Sequence, residues 1–270
     1  MIFLSNNLIL IIVKFFKSRF KKYTSLVFWR RKRTEIMLAV SYFFIPIFYP
    51  KIKVVNYLHI DKTGGTAIKD VFVKKMIFGS FLMKMHIHKV KLRDIKKGEK
   101  VIFAVRDPIS RFVSGFNCGL RRGFPRHRLK WSKEEELSFE IFKTPQELAI
   151  SISSDNDDIR NKAIMAMKSC HHIKTFYWDW FENEEYLNSR KDDILFVFRQ
   201  ERLSEDFDFF VRKFLPGSKV SLPEDDVLRH KTPDGYSTNL SEEAVNNLKK
   251  WYKRDYEFLE FIQKLGLLKD

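Results

Sequence analysis

Three segments of the 270-residue chain each combine a continuous apolar run with a helical pattern that follows it. Runs of this kind are typical of strands buried on both faces, and a helix is the usual connection between parallel strands. We therefore predict an α/β fold in which a central parallel sheet is flanked by helices. The apolar runs are KVVNYLHI (53–60), EKVIFAVRDP (99–108) and DILFVFRQE (193–201).

Helical periodicity is visible after the first run, where Ile68 and Phe72 stand four residues apart. A longer amphipathic region covers residues 240–268. Ser241 is a suitable N-cap for it, with glutamates in the first turn. We expect one long helical region there.

The net charge of +16 is spread unevenly along the chain. Residues 1–53 hold eleven lysines and arginines against one acid, Glu35, and so account for +10 of it. The remainder is only modestly basic, as suits an enzyme that handles polyanionic ligands. We predict a basic, aromatic N-terminal extension at 1–52 and a single globular domain at 53–270.

The extension contains two apolar stretches, at 8–13 and 36–50. Both are shorter than the roughly 18 to 20 residues that span a bilayer. The segment between them, KFFKSRFKKYTSLVFWRRKR, is typical of a helix on an anionic membrane surface. A leader that packs on the domain or stays disordered is the alternative. We expect a cytoplasmic protein that is peripheral at the membrane.

Cys118 and Cys170 are the two cysteines of the chain, too few for a disulfide framework at this length. They fit a reduced compartment, with a single bridge as the alternative. The sequence lacks the cysteine and histidine spacings that are typical of zinc sites, so we expect no structural metal.

Residues 61–66, DKTGGT, lie where the first predicted strand gives way to a helix. A helix N-terminus offers unpaired N–H groups, and glycines let a phosphate approach the backbone. Lys62 adds a charge, while Thr63 and Thr66 add hydroxyl groups. We interpret the segment as a phosphate-binding loop in a P-loop-like three-layer sandwich, although such a Gly-Gly turn is often only a turn. The lysine precedes the glycines, unlike in nucleotide triphosphatases, so we expect binding without Mg²⁺.

A second candidate phosphate site follows the second predicted strand. Arg106 stands at the carboxyl end of that strand, where open α/β sheets bind ligands, and Ser114 follows on the predicted helix. A guanidinium and a hydroxyl are suited to hold a phosphate. Two such sites on neighbouring strands indicate a nucleotide that is phosphorylated at two positions.

HIDKTGGTAI and FAVRDPISRFVSGF together resemble the 5′-phosphosulfate loop and the 3′-phosphate motif of sulfotransferases that use 3′-phosphoadenosine 5′-phosphosulfate (PAPS). The likeness, over about residues 53 to 262, is to the carbohydrate type, which includes heparan sulfate 2-O-sulfotransferase and bacterial relatives. It implies PAPS as co-substrate without a metal, and Lys62 at the phosphosulfate and its leaving oxygen. The implied cofactor-binding residues are Lys62, Thr63, Gly64, Gly65, Thr66, Arg106, Ser114 and, in the late loop HKTP, Lys231.

Asp61 departs from the family's pattern, which usually has an uncharged residue at this position. A carboxylate beside an anion site is unexpected. It either points away and pairs with Lys62 or a later lysine, or it weakens the cofactor site. We interpret two further residues as structural: Arg111 supports the 3′-phosphate motif, and Glu201 belongs to a helix start.

Sulfuryl transfer also needs a base that accepts the proton of the acceptor hydroxyl. Many family members have a Gly-His where this chain has MHIHKVKLRD, and the alignment implies His88 as the base and His86 as the second candidate. Residues two apart share a face of an extended segment, so both could reach one cleft. The alternative is two histidines on a solvated loop.

Two aromatic pairs are further candidates. His171 and His172 either line the acceptor cleft or pack against a helix. Trp178 and Trp180 either stack on a sugar or belong to the core. The sequence leaves both alternatives open.

The sequence as a whole predicts an enzyme, a PAPS-dependent sulfotransferase that moves a sulfuryl group to a hydroxyl of a glycan or glycolipid by in-line displacement. The alternatives are a catalytically inactive binding protein of the same fold and an ATP-dependent P-loop phosphotransferase. The expected partners are a carbohydrate or glycolipid acceptor and an anionic membrane surface, with no nucleic acid. The basic segment RRGFPRHRLKW (121–131) either meets an anionic acceptor or is a solvated loop.

Overall fold

The computed structural model describes residue 42 and residues 44–125, 128–225 and 232–268. The strands of this part of the chain are β1 (Lys53–Leu58), β2 (Ile77–Phe78), β3 (Phe81–Met85), β4 (Lys100–Val105) and β5 (Ile194–Arg199). They form one sheet in the order β2-β3-β1-β4-β5. β4 lies parallel to both β1 and β5, whereas β2 and β3 are antiparallel. The prediction of an α/β fold with a parallel central sheet is confirmed.

The helices follow the strands as the periodicity predicts, with α1, α2 and α8 each beginning after an apolar run. Asp107 starts α2, because its carboxylate accepts a hydrogen bond from the Ser110 amide at 2.8 Å. The described helices are α1 (Gly65–Lys74), α2 (Pro108–Leu120), α3 (Lys133–Ile141), α4 (Pro145–Ser151), α5 (Asp157–Ser169), α6 (Trp178–Phe181), α7 (Glu184–Ser189), α8 (Leu203–Phe214), α9 (Glu242–Trp251) and α10 (Lys253–Lys264).

Side chains along each central strand alternate between two cores, one on each face of the sheet. In β4, Ile102 and Ala104 belong to one cluster of buried residues, and Val101 and Phe103 belong to the other. Helices α1 and α8 complete the first cluster, and α6, α7 and α10 complete the second. This arrangement is the predicted three-layer sandwich. A third cluster joins α2 to the helical region formed by α3, α4, α5 and α9.

Two features differ from the sequence-based expectation. The segment between α1 and β4 contains the short hairpin β2-β3, which adds an edge to the sheet. The C-terminal region is two helices, α9 and α10, that meet at Tyr252. Ser241 caps α9 as predicted, since its hydroxyl accepts a hydrogen bond from the Ala244 amide at 3.2 Å.

The predicted extension at 1–52 lies largely outside the described residues, which include only residue 42 and residues 44–52 of it. Residues 44–48 are helical. Within the described ranges, no helix combines the length and the apolarity needed to cross a bilayer. Attachment to a membrane surface and the domain boundary at residue 53 stay predictions.

Candidate functional site

The loop between β1 and α1 makes a tight turn at the carboxyl end of β1. Lys62 and Gly64 both have left-handed backbone conformations, with φ of 63° and 81°. A left-handed lysine is uncommon, because its Cβ crowds the backbone, and such strain is held only where the surroundings enforce it. Thr63 helps to enforce it: its buried hydroxyl donates a hydrogen bond to the Ile60 carbonyl at 3.0 Å.

Gly64 and Gly65 lie at the start of α1, where neighbouring side chains leave no room for a Cβ atom. The backbone of these two residues is therefore not covered by side chains of their own. A Cβ at Gly65 would lie 2.5 Å from the Tyr57 hydroxyl and from the His59 ring, and one at Gly64 would lie 2.8 Å from Leu203. The N–H groups at a helix start have no partner within the helix and carry partial positive charge. This turn is therefore a ready cradle for an anion.

The side chain of Lys62 is held among α2 residues and other cations. Burial lowers the pKa of Lys62; its contact with Cys118 opposes this shift, and the charges of Arg121 and Arg106 add to it. The repulsion between a lysine and two nearby arginines is relieved when an anion binds among them, so this group of cations favours anion binding.

Arg106 follows β4 and links the two candidate phosphate sites. Its Nη1 atom donates a hydrogen bond to the Lys62 carbonyl at 3.3 Å. Its backbone is clamped by the Tyr177 hydroxyl, which accepts from the Arg106 amide at 2.9 Å and donates to the Arg106 carbonyl at 2.6 Å. The buried Nε atom of Arg106 has no hydrogen-bond partner within the described part of the chain. Ser114 lies nearby in sequence on α2 and is partly exposed.

Arg111 stabilises the backbone around Arg106, as the sequence predicts. Its buried guanidinium lies 2.5 Å from Asp255 of α10 and donates to the Thr175 carbonyl at 2.6 Å. The other oxygen of Asp255 accepts from the Tyr177 amide at 2.7 Å. This ion pair therefore fixes the tyrosine that holds the backbone of Arg106.

A cluster of histidines surrounds Asp61, whose side chain is almost fully buried. The Nδ1 atom of His88 lies 2.7 Å from an Asp61 oxygen and 3.1 Å from the His59 carbonyl oxygen. On the other side, the Nδ1 atom of His172 lies 3.7 Å from the same oxygen of Asp61. The rings of His59 and His88 are in contact, with centroids 3.8 Å apart and planes tilted by 35°. Asp61 thus pairs with two histidines rather than with a lysine.

The cluster fixes several protonation states. Burial alone would raise the pKa of Asp61, but His172 and His88 hold it well below its usual range. Burial alone would lower the pKa of His172, but Asp61 and Cys118 raise it to about 9. Burial, with the positive charges nearby, keeps the pKa of His59 well below its usual value. At neutral pH the cluster therefore holds an Asp61 carboxylate, a His172 imidazolium and a neutral His59.

His86, two residues before His88, has a different environment. Its Nε2 atom lies 2.8 Å from the side-chain oxygen of Asn56, whose amide group donates to Glu99. Burial is the main reason that the pKa of His86 is lowered to about 4. The two histidines do not share one set of partners, and His86 is bonded to a β1 residue below the loop.

The chain matches the model of the family described as "Sulfotransferase family" over residues 47–262, far more than half of its length. The protein belongs to the sulfotransferase family. Members of this family are transferases that move a sulfuryl group to an acceptor, generally with PAPS as the donor. No curated protein sequence matches the chain.

The sulfotransferase has a cavity of about 720 Å³ beside the histidine cluster. His171 lies on its wall, and the His171 ring is 4.7 Å from the His172 ring between centroids. The cavity carries three lysines against two glutamates. Its lining residues are Lys130, Trp131, Ser132, Glu134, Glu135, Lys168, Ser169, His171 and Lys174.

Asp61, His171 and His172 have ligand-type atoms within 4.8 Å of one another, a spacing that a metal ion can use. The charges favour a different state. With no metal bound, the pKa of His172 is raised to about 9, so at neutral pH its protonated form pairs with Asp61, and a metal would have to displace that proton. The ammonium of Lys62 also lies close enough to act on His172. We interpret this group as an ion pair, and the prediction that the sulfotransferase needs no metal stays a prediction.

Most of the predicted site residues meet at the carboxyl ends of β1 and β4. Trp178 and Trp180 are buried in the core, and the indole N–H of Trp180 donates to the His88 carbonyl at 2.9 Å. Glu201 lies in the turn before α8 and accepts a hydrogen bond from the Asp107 amide at the start of α2 at 2.8 Å, and its interpretation as structural stays a prediction. Lys231 lies outside the described residues.

Sequence reasoning missed three residues that shape the site of the sulfotransferase. Tyr57 and His59 lie beneath Gly65, and Tyr177 clamps Arg106. In the sequence, Tyr57 and His59 are part of a predicted apolar strand, and nothing distinguishes Tyr177 from the many other aromatic residues. The adjacent pair of histidines at 171 and 172 was the available signal for the partner of Asp61.

Proposed function

We propose that this sulfotransferase moves the sulfuryl group of PAPS to a hydroxyl of a glycan or glycolipid. The observation that carries the proposal is the bare backbone at Gly64 and Gly65, with Lys62 on one side and Arg106 bonded to the same loop. A nucleotide with phosphates at its 5′ and 3′ positions needs two such cationic sites close together.

The residues fit the two ends of PAPS. The N–H groups at Gly65 and Thr66 in the first turn of α1 suit the 5′-phosphosulfate, with Lys62 beside them. The Nε atom of Arg106, buried and without a hydrogen-bond partner within the described ranges, suits the 3′-phosphate, with the Ser114 hydroxyl as a second donor. Thr63 contributes through the loop backbone, because its hydroxyl is already bonded to the Ile60 carbonyl.

The chemistry is an in-line displacement at sulfur. PAPS supplies the sulfuryl group and a phosphate leaving group. His88 takes the proton of the acceptor hydroxyl, and the acceptor oxygen forms a bond to sulfur. The bond between sulfur and the bridging oxygen breaks, and its electron pair stays on the 5′-phosphate of PAP (3′,5′-ADP). Lys62 stabilises the negative charge that develops there.

The cavity beside His171 supports an acidic acceptor. Lys130, Lys168 and Lys174 give it an excess of positive charge, and carboxylate or sulfate groups of a glycan would complement them. The His171 ring on the cavity wall lies 4.7 Å from the His172 ring between centroids, so the cavity adjoins the histidine cluster at this residue. We expect acidic glycan fractions to be sulfated in preference to neutral ones.

Binding is tested by thermal unfolding of the full chain with PAP in the presence of EDTA, and with ATP and Mg²⁺ for comparison. We expect PAP to raise the melting temperature and ATP with Mg²⁺ to leave it unchanged. Stabilisation by ATP with Mg²⁺ alone would identify a phosphotransferase instead.

Transfer is tested with labelled sulfate on PAPS and fractionated cell-envelope glycans of the source organism. We expect label in at least one acidic fraction. If PAP binds and none of the fractions, acidic or neutral, acquires label, the protein is a binding protein with a sulfotransferase fold, and the proposal is wrong.

A further inference from the structure

Asp61 occupies the position where a carboxylate is least expected, and its contacts give it a role. We propose that Asp61 is a positioning residue for the transfer reaction: its carboxylate lies against Nδ1 of His88 and favours the tautomer with the proton on that nitrogen, and His172 packs against the same carboxylate oxygen. This inference rests on the proposed function, since it concerns the base of that reaction.

The tautomer of His88 follows from what its Nδ1 atom faces. Nδ1 is hydrogen-bonded to the His59 carbonyl oxygen at 3.1 Å, and the Asp61 oxygen, a second acceptor, lies 2.7 Å away as a charged neighbour without an aligned hydrogen bond. Two acceptors require a proton on Nδ1, which leaves the lone pair of a neutral imidazole on Nε2. The side chain of His88 is 41 % exposed, so its outer edge is open to an acceptor.

Asp61 is rigid enough for this role. Its side chain is 3 % exposed, and the residue lies in the same tight turn as the left-handed Lys62. A buried carboxylate needs charged partners, because burial without them disfavours its ionised form. His172 is the charged partner, and the Nδ1 atoms of His172 and His88 lie 3.7 Å and 2.7 Å from one Asp61 oxygen.

His172 is fixed in turn by α2. A Cβ at Gly115 would lie 2.7 Å from the His172 carbonyl oxygen, so the backbone of His172 packs directly on the helix. The raised pKa of His172, about 9, makes it the permanent cation of the cluster at neutral pH.

Other charged groups also contribute to the electrostatic potential at the cluster of Asp61 and the histidines. Lys62 acts on His172, Lys69 acts on His59, and Asp61 acts on Arg111 and His171. The two lysines and Arg111 are unchanged in the substitutions below. The groups that interact electrostatically with Asp61 from the surrounding elements are His59, His88, Arg111, His171 and His172.

The first test is nitrogen NMR of the full chain labelled at its histidines, assigned with His88→Gln and His172→Gln. We expect the neutral form of His88 to carry its proton on Nδ1. In Asp61→Asn we expect the titration midpoint of His172 to fall by at least about one pH unit, since an adjacent carboxylate shifts a pKa by about 1 to 3 units. The matched control is Asp70→Asn, which removes a carboxylate that pairs with Lys74 on α1. A proton on Nε2 of His88, or an unchanged His172 midpoint, overturns the proposal.

The second test is the pH profile of turnover with the responding glycan fraction. Asp61→Asn removes an anion beside His88, so the acidic limb should move to lower pH by about one unit. His172→Gln removes a cation from the same carboxylate, so the limb should move to higher pH. A merely structural role gives no such opposite shifts, and equal or absent shifts contradict the proposal. The NMR experiment needs neither PAPS nor an acceptor, so its result is independent of whether the proposed transfer is found.

Discussion

The guanidinium of Arg106 donates a hydrogen bond to the carbonyl oxygen of Lys62 across a distance of 3.3 Å. The two motifs that the sequence places 44 residues apart are therefore joined by one bond. A change at Arg106 removes a candidate phosphate ligand and also releases the turn that carries Lys62. We expect substitutions at the two positions to affect binding and turnover differently.

Lys62→Ala should abolish transfer while PAP still binds, because in the proposed mechanism Lys62 acts mainly at the phosphosulfate end and PAP keeps its contacts at the 3′-phosphate. Single-turnover transfer and calorimetry measure the two quantities. The matched control is Lys74→Ala, an exposed lysine of α1, which should change neither. Turnover of Lys62→Ala above about a tenth of the wild-type rate removes Lys62 from the mechanism.

Arg106→Ala should weaken PAP itself. Loss of a hydrogen bond between a charged group and phosphate corresponds to about 1.5 to 3 kcal/mol, so Kd should rise roughly ten- to a hundredfold. Calorimetry with Arg93→Ala is the control, since Arg93 is a half-exposed arginine paired with Glu182. An unchanged Kd would show that the 3′-phosphate binds elsewhere.

His88→Ala should lower turnover by about a hundredfold or more, which is the usual effect of losing a general base, with PAP affinity within about twofold of wild type. His86→Ala should have a much smaller effect, because His86 is bonded to Asn56 and stays neutral. Comparable rates for both variants and the wild type would direct the search for the base to His171, His172 or a carboxylate near the cavity.

Gly65→Ala should destabilise the fold by about 1 to 3 kcal/mol, because the new methyl group would overlap Tyr57 and His59. Tyr57→Phe alone should be neutral or stabilising, since the Tyr57 hydroxyl is buried without a hydrogen-bond partner among the described residues. Adding Tyr57→Phe to Gly65→Ala should restore part of the stability in urea unfolding. A Gly65→Ala variant as stable as wild type would mean that the turn is looser than the structure indicates.

The pair of Asp61 and His172 should make stability depend on pH. The pKa of His172 is raised from 6.5 to about 9, so the stabilisation from its protonated form is complete below pH 6.5 and is lost as pH rises through about 9. The free energy of unfolding should therefore decrease across this window. Urea unfolding at constant ionic strength should give a flatter dependence for His172→Gln, and equal slopes for the two proteins would contradict the pairing.

The parts of the fold that the sequence predicts are those with strong local patterns. β1, β4 and β5 are continuous apolar runs, and α1, α2 and α8 follow them with helical spacing. The hairpin β2-β3 escaped notice because strands of two and five residues are too short to show a period. The break at Tyr252 was missed because the apolar spacing continues from α9 into α10.

The candidate site also has parts that local sequence patterns predict and parts that they do not. The positions of Lys62, Gly64, Gly65 and Arg106 follow from their place after apolar strands, which is a local property. The pairing of Asp61 with His88 and His172 depends on how three loops meet, and no local pattern encodes that meeting. The sequence indicates that Asp61 is unusual at its position, and one alternative predicted a lysine as its partner. That alternative is wrong, because the partners in the structure are His88 and His172.

The bond between Arg111 and Asp255 has a consequence for how the protein is made. The two residues are separated by 144 positions, so Arg111 leaves the ribosome long before its partner exists. Until α10 arrives, the guanidinium lacks its carboxylate and Tyr177 lacks the anchor of its backbone amide. A nascent chain can therefore form the sheet and the glycine turn, yet it gains a fixed Arg106 only when the last helix docks. The candidate phosphate sites therefore depend on the synthesis and packing of α10, although they lie on other elements.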